Sequence, residues 1–233
     1  MLVSIIKIAG SLTLFLLFLS VIIALWKYKT YPASIRIFTI YLCANLLIEL
    51  LARGFQLLHT NNLWLVHLFT LVEFVTLSYF FYNFIERPKW LVRYFGEIIA
   101  LGSLLIVANS IFWEPLNAIN SFSETGENFV LIVFCILSLF HLLESPNPSY
   151  RFTYNWIIYG ILIYLSGSIL IFLFSRYFMV STDQTSTHLL IWVLNALLNL
   201  VFKGMILVAL SRTLPAPSWL PSFSLFPSSR PEN

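Results

Sequence analysis

Residues 187–210 read THLLIWVLNALLNLVFKGMILVAL, 24 residues with one full charge, Lys203, and no proline. A helix that crosses a bilayer needs about 20 mostly apolar residues. Lipid offers backbone groups no hydrogen-bond partners, so such a stretch must be helical throughout. Six further runs of the same kind precede it, at about 5–26, 35–57, 63–85, 91–113, 128–144 and 153–175. In the first, Lys7 precedes an apolar core from Ile8 to Trp26. That core is too long for a signal-peptide h-region and no small-x-small cleavage site follows it, so it is expected to stay as a membrane helix.

The whole chain agrees with this reading. Of 233 residues, 59% are apolar and 10% are Asp, Glu, Lys or Arg, against roughly 25% charged in a soluble domain. The mean hydropathy is +0.88. Too little charge is present to coat a water-soluble enzyme, a nucleic-acid-binding domain or a disordered scaffold. The two cysteines, Cys43 and Cys135, lie inside apolar runs, where buried, inert thiols are the expectation. The fold expected is an all-α membrane protein of seven transmembrane helices over residues 1–211, followed by a disordered Pro/Ser-rich tail over 212–233. That tail holds five of the ten prolines.

Turn chemistry falls between the runs, at Tyr31-Pro32, Glu86-Arg87-Pro88-Lys89 and Ser145-Pro146-Asn147-Pro148-Ser149. Residues 114–127 (EPLNAINSFSETGE) read as an acidic, polar loop. Positive charge in short loops marks the cytoplasmic side. Nine basic residues (Lys27, Lys29, Arg36, Arg87, Lys89, Arg93, Arg151, Arg212 and Arg230) fall on one side and three (Lys7, Arg53 and Arg176) on the other. This predicts an N-terminus outside and a cytoplasmic C-terminus. No proline interrupts any run and no internal repeat is evident, which argues against a carrier built on broken helices.

A charge at the middle of a membrane helix costs about 2.5–3.5 kcal/mol on insertion scales, so polar residues within the runs are expected to face the bundle interior. At 100° per residue, Asn45, Glu49, Arg53 and Gln56 of the second run fall within about 80°, as do His188, Trp192, Asn195, Asn199 and Lys203 of the seventh. Asn62 and Glu73 lie within about 20° of each other on the third run, flanked by Thr70 and Thr76. Asn155, Tyr159 and Ser166 line up on the sixth. Glu49 and Arg53 are spaced to pair on their own helix, and Lys203 is placed either to reach Glu97 across the bundle or to snorkel inward. Glu73, about ten residues into its helix at about 1.5 Å each, sits near the midplane. With no partner on its own helix, it is expected to be neutral or to meet Arg53 or Lys203.

His59, His67 and His188 gather near the outer ends of their helices, which invites a zinc reading. The paired His-x-x-x-His of seven-helix lipid hydrolases is absent, however, and no aspartate accompanies them; no metal is expected. Lys203 brings a retinal Schiff base to mind, but neither an Arg-Tyr-x-x-Trp stretch nor a Trp-x-x-x-Pro pocket is present. No cofactor is expected.

Four stretches occur together: Asn62-Leu63-Trp64-Leu65-Val66-His67 running to Glu73-Phe74; Ile119-Asn120-Ser121-Phe122 through Glu124; Tyr164-Leu165-Ser166-Gly167-Ser168 with Phe172-Leu173-Phe174; and Asn195 to Asn199. Over most of residues 35–210 this pattern resembles a family of uncharacterised bacterial seven-helix inner-membrane proteins. The resemblance implies a multi-pass protein of the bacterial inner membrane with no assigned activity; Lys203 lies outside the pattern. Together these readings predict a non-enzymatic protein that binds or senses a small, partly apolar molecule in the outer half of the bundle, acting through a partner membrane protein such as a kinase. The candidate ligand-binding residues are Glu73, Asn195, Asn199, Arg53, Glu49, His67 and His188. An intramembrane enzyme acting on a lipid or isoprenoid, with Glu73 as acid or base, and a purely structural membrane subunit are the alternatives.

Overall fold

The computed structural model describes residues 2–84, 89–118, 120–144, 151–180 and 185–212, and over these it is helical without a strand. The helices are α1 (Leu2–Trp26), α2 (Ala33–Leu57), α3 (Trp64–Phe84), α4 (Lys89–Phe112), α5 (Ser121–Glu144), α6 (Arg151–Val180) and α7 (Thr185–Arg212), with a short 3-10 turn at Tyr28–Thr30. All seven are long and apolar enough to cross a membrane, so the chain has the architecture of a multi-pass membrane protein. The loops expected at 86–88 and 145–149, the tail beyond Arg212 and the side chain of His188 lie outside the described residues.

The helices form a ring in which neighbours in sequence pack together. α7 lies against both α6 and α1, which closes the ring. α3 touches α2, α4 and α5 and is thereby drawn inward. α4 makes the thinnest packing and leaves most of its surface outward.

The interior divides along its length. Toward the C-terminal end of α3 it is aromatic: Phe38, Phe80, Phe81, Phe84, Phe134 and Tyr154 meet at centroid distances of 4.2–6.4 Å. Within it the Ser34 hydroxyl meets the Tyr154 hydroxyl at 2.6 Å. Toward the end that carries the N-terminus, the same core is lined by carboxyls, amides and hydroxyls.

Three sequence expectations change. α5 begins at Ser121 rather than 128, so Glu124 and Glu127 belong to a membrane helix, not to a loop. They are 2% and 3% exposed. Of the proposed stripe on α6, Asn155 is half-buried but Tyr159, 46% exposed, and Ser166 face outward, while Thr153, Tyr154, Ile157, Ile161, Tyr164 and Ser168 turn in. Lys203 does not reach Glu97, which is exposed on α4 while Lys203 is buried.

Candidate functional site

Glu73 occupies the tenth position of the 21-residue α3 and is fully buried. The Tyr41 hydroxyl of α2 donates to Glu73 Oε1 at 2.6 Å, and Asn45 Nδ2, one turn along α2, donates to the Tyr41 oxygen at 3.3 Å. Oε2 has no hydrogen-bond partner among the described residues. Lys203 is the cation whose charge reaches Glu73, and it reaches Glu49 as well. Its ammonium stands 4.7 Å from the Phe202 ring and 5.9 Å from the Tyr41 ring. Among the described residues neither Lys203 nor Arg53 forms an ion pair with Glu73, and Arg53 is engaged by Glu49 instead. Arg53 bonds Glu49 at 3.1 Å and donates to the Gly10 carbonyl of α1.

A cleft of about 200 Å³ opens between α2, α3, α6 and α7. Asn45, Glu49, Asn62, Tyr164 and Asn199 supply its polar wall, and Leu65, Val66 and Phe69 its apolar one. Glu73 lies behind that wall, two hydrogen bonds from the cleft through Tyr41 and Asn45. Asn199 donates to Asn195, both to its carbonyl at 3.1 Å and to its side-chain oxygen at 3.3 Å. Of the candidate residues, Glu49 and Asn199 thus line the cleft. Glu73 and Asn195 support residues that do, and Arg53 secures α2 to α1. Asn62 precedes α3 and donates to the Ala52 carbonyl at 3.1 Å, so its place is in the turn rather than beside Glu73.

The histidines separate. His67 is buried on α3, with Nδ1 2.8 Å from the Ser110 hydroxyl and Nε2 3.2 Å from the Ala118 carbonyl. His59 is exposed and forms the turn that ends α2, at φ 54°. Among the described residues no three His, Cys, Asp or Glu side chains are grouped to hold a metal ion.

A second polar group adjoins Glu73. Asn120 donates to the Thr70 hydroxyl at 2.8 Å, and Thr70 donates to Glu124 Oε2 at 2.7 Å. Glu127 and Asn128 follow on the same face of α5, and the side-chain oxygens of Glu127 and both polar atoms of Asn128 have no partner among the described residues. Glu73, Glu124 and Glu127 are close enough for each to act on another through its charge. These residues escape a hydropathy reading because SETGEN resembles a loop. The spacing Asn120, Glu124, Glu127, Asn128, Leu131, Phe134, Cys135, Ser138 carries the signal instead, since it continues one helical face without a break.

Glu114 closes this end of the bundle. It is 4% exposed, and its carboxylate accepts the backbone N–H groups of Ser121 and Phe122 at 3.0–3.2 Å. Helix N-termini leave N–H donors free and favour negative charge there. Asn109 holds Glu114 from α4 at 2.7 Å and reaches Ser123 at 2.9 Å.

Comparison with known proteins finds no matching family model, no matching curated protein and no matching solved structure.

Proposed function

We propose that this membrane protein binds a small, partly apolar molecule in the cleft between α2, α3, α6 and α7, in the half of the bundle that carries the N-terminus. The observation that carries the reading is the cleft itself: an apolar wall faced by Asn45, Glu49 and Asn199, with the Tyr41–Glu73 pair holding Asn45 from behind. Ligand sites are of this kind, mostly apolar with a few placed polar groups. Ionisable groups kept within a membrane mark function by default. On the charge asymmetry of the loops, the cleft opens toward the outside and the C-terminus is cytoplasmic, in the bacterial inner membrane. With short loops, the protein acts through a partner membrane protein.

Native mass spectrometry of the full chain released from detergent tests the binding. The wild type is expected to carry a defined extra mass that Asn199→Ala loses and Glu73→Gln weakens. A bare chain, or the same generic phospholipid in wild type and variants, overturns the reading in favour of a structural subunit. A second reading, an intramembrane enzyme acting on a lipid or isoprenoid, draws on the 2.6 Å carboxyl–phenol pair beside the cleft. It requires the bound mass to change with time into a product mass in wild type and to stay unchanged in Tyr41→Phe.

A further inference from the structure

A larger pocket, about 320 Å³, lies on another side of the bundle between α3, α4 and α5. Phe74, Leu105, Ile106 and Val130 make it apolar, and Trp113 and Phe122 flank it. Leu105, Trp113 and Phe122 are themselves strongly exposed, so the pocket opens sideways, where the seven-helix architecture meets lipid, rather than into the ring. Glycines shape it. At Gly102 a Cβ would stand 2.4 Å from the Phe74 ring, so glycine is what lets that ring lie against α4. At Gly126 a Cβ would meet nothing within 4 Å.

Glu127 lines this pocket. It is 3% exposed, and neither of its carboxyl oxygens has a hydrogen-bond partner among the described residues. A buried acceptor left unpaired is costly, and an occupant that donates to it removes that cost. The surroundings choose the sign of the occupant. Glu127 is the one ionisable side chain among the residues that line the pocket, and no Lys or Arg stands among them to hold an anionic head. A carboxylate or phosphate head would find no cation there, whereas an ammonium head can donate to Glu127 and itself favours the ionised carboxylate.

We infer that this pocket is a second binding site, entered from the bilayer, that takes a hydrocarbon-chained amine with its ammonium on Glu127 and its chain along Phe74, Ile106 and Val130. The site shares no lining residue with the cleft on the other side of α3, so the two readings stand or fall separately.

The test uses the full chain in phosphatidylcholine nanodiscs and two photoreactive probes, a diazirine-bearing dodecylamine and the matching dodecanoate. The amine is expected to label residues 102–130 saturably, and the dodecanoate to label them weakly. Glu127→Gln keeps the shape and removes the charge; it should lower amine labelling about tenfold or more. Gly126→Leu fills the open space and should abolish labelling, with thermal melting unchanged or raised because leucine is the better helix former. Asn199→Ala should leave labelling intact while removing the mass bound in the cleft. Equal labelling by both probes, or amine labelling that survives Gly126→Leu, overturns the inference. A Glu127→Gln protein that fails to fold leaves Gly126→Leu to decide.

Discussion

Tyr41 is the residue that makes a buried Glu73 tenable. Its phenol supplies the one side-chain hydrogen bond that Glu73 accepts among the described residues, while its ring packs 5.5 Å from Phe38 and lies within reach of Lys203. Tyr41→Phe keeps the ring and removes only the donor, leaving a buried acceptor unpaired. Thermal melting in detergent should report a loss of about 1–3 kcal/mol; an unchanged melting temperature would show that Glu73 is satisfied without Tyr41. Glu73 was legible in the sequence because a lone carboxyl in the middle of an apolar run has no cheap explanation. Tyr41 was not, since a tyrosine suits both an apolar face and a polar one, and only the fold shows its hydroxyl meeting α3. The proposed Lys203–Glu97 pair fails for a related reason. Helical angle says which residues share a face, and depth says which are level, but neither says which helices are neighbours.

Individual helix ends explain much of what hydropathy missed. α2 stops in a Schellman-type turn: the His59 N–H bonds the Gln56 carbonyl at 3.1 Å and the Thr60 N–H bonds the Phe55 carbonyl at 3.0 Å. His59 therefore takes the left-handed conformation usually given to glycine. His59→Gly should raise stability by about 1 kcal/mol, readable as a higher melting temperature; a loss instead would mean that the imidazole contributes a contact of its own. At the other end of the loop region, Glu114 caps α5 from outside that helix. Glu114→Ala should cost about 1–2 kcal/mol, as for other lost caps, and amide exchange should quicken first at residues 121–125. Uniform exchange across α5 would assign Glu114 a different role. The cap also shows why the sequence expectation started α5 too late. Ser121 to Asn128 is helical because Glu114 and Asn120 secure its first turn and because its polar residues have a polar interior to face, and neither condition shows in a window of average hydropathy.

At the scale of the whole molecule, the seven apolar runs and their helical state were plain from the sequence, because length and hydropathy alone suffice for membrane helices. The closing of the ring by α1 and α7 was not, since nothing local to either helix names the other. The orientation inferred from loop charge is open to direct measurement. In a background lacking Cys43 and Cys135, a membrane-impermeant maleimide should label Thr60→Cys on intact cells and Thr30→Cys only after permeabilisation. The reverse pattern would turn the protein over and place the cleft on the cytoplasmic side. The division of the core into an aromatic half and a polar half predicts an uneven response to loss of side-chain volume. Phe80→Ala, in the packed half, should cost about 3–5 kcal/mol, whereas Asn199→Ala, at the cleft, should barely move the melting temperature.

The ring closure has a consequence for biogenesis. Translation delivers the helices one at a time, yet α1 has as its principal neighbour α7, which is made five helices after its sequence neighbour α2. Until α7 arrives, the sequestering surfaces for Tyr41 and Glu73 are incomplete, because Lys203 and Phe202 come with it. A nascent chain stalled before residue 189 is thus an open arc whose α1 lacks its main packing surface. Arrival of α7 is the event that closes the ring, because it packs on both α6 and α1.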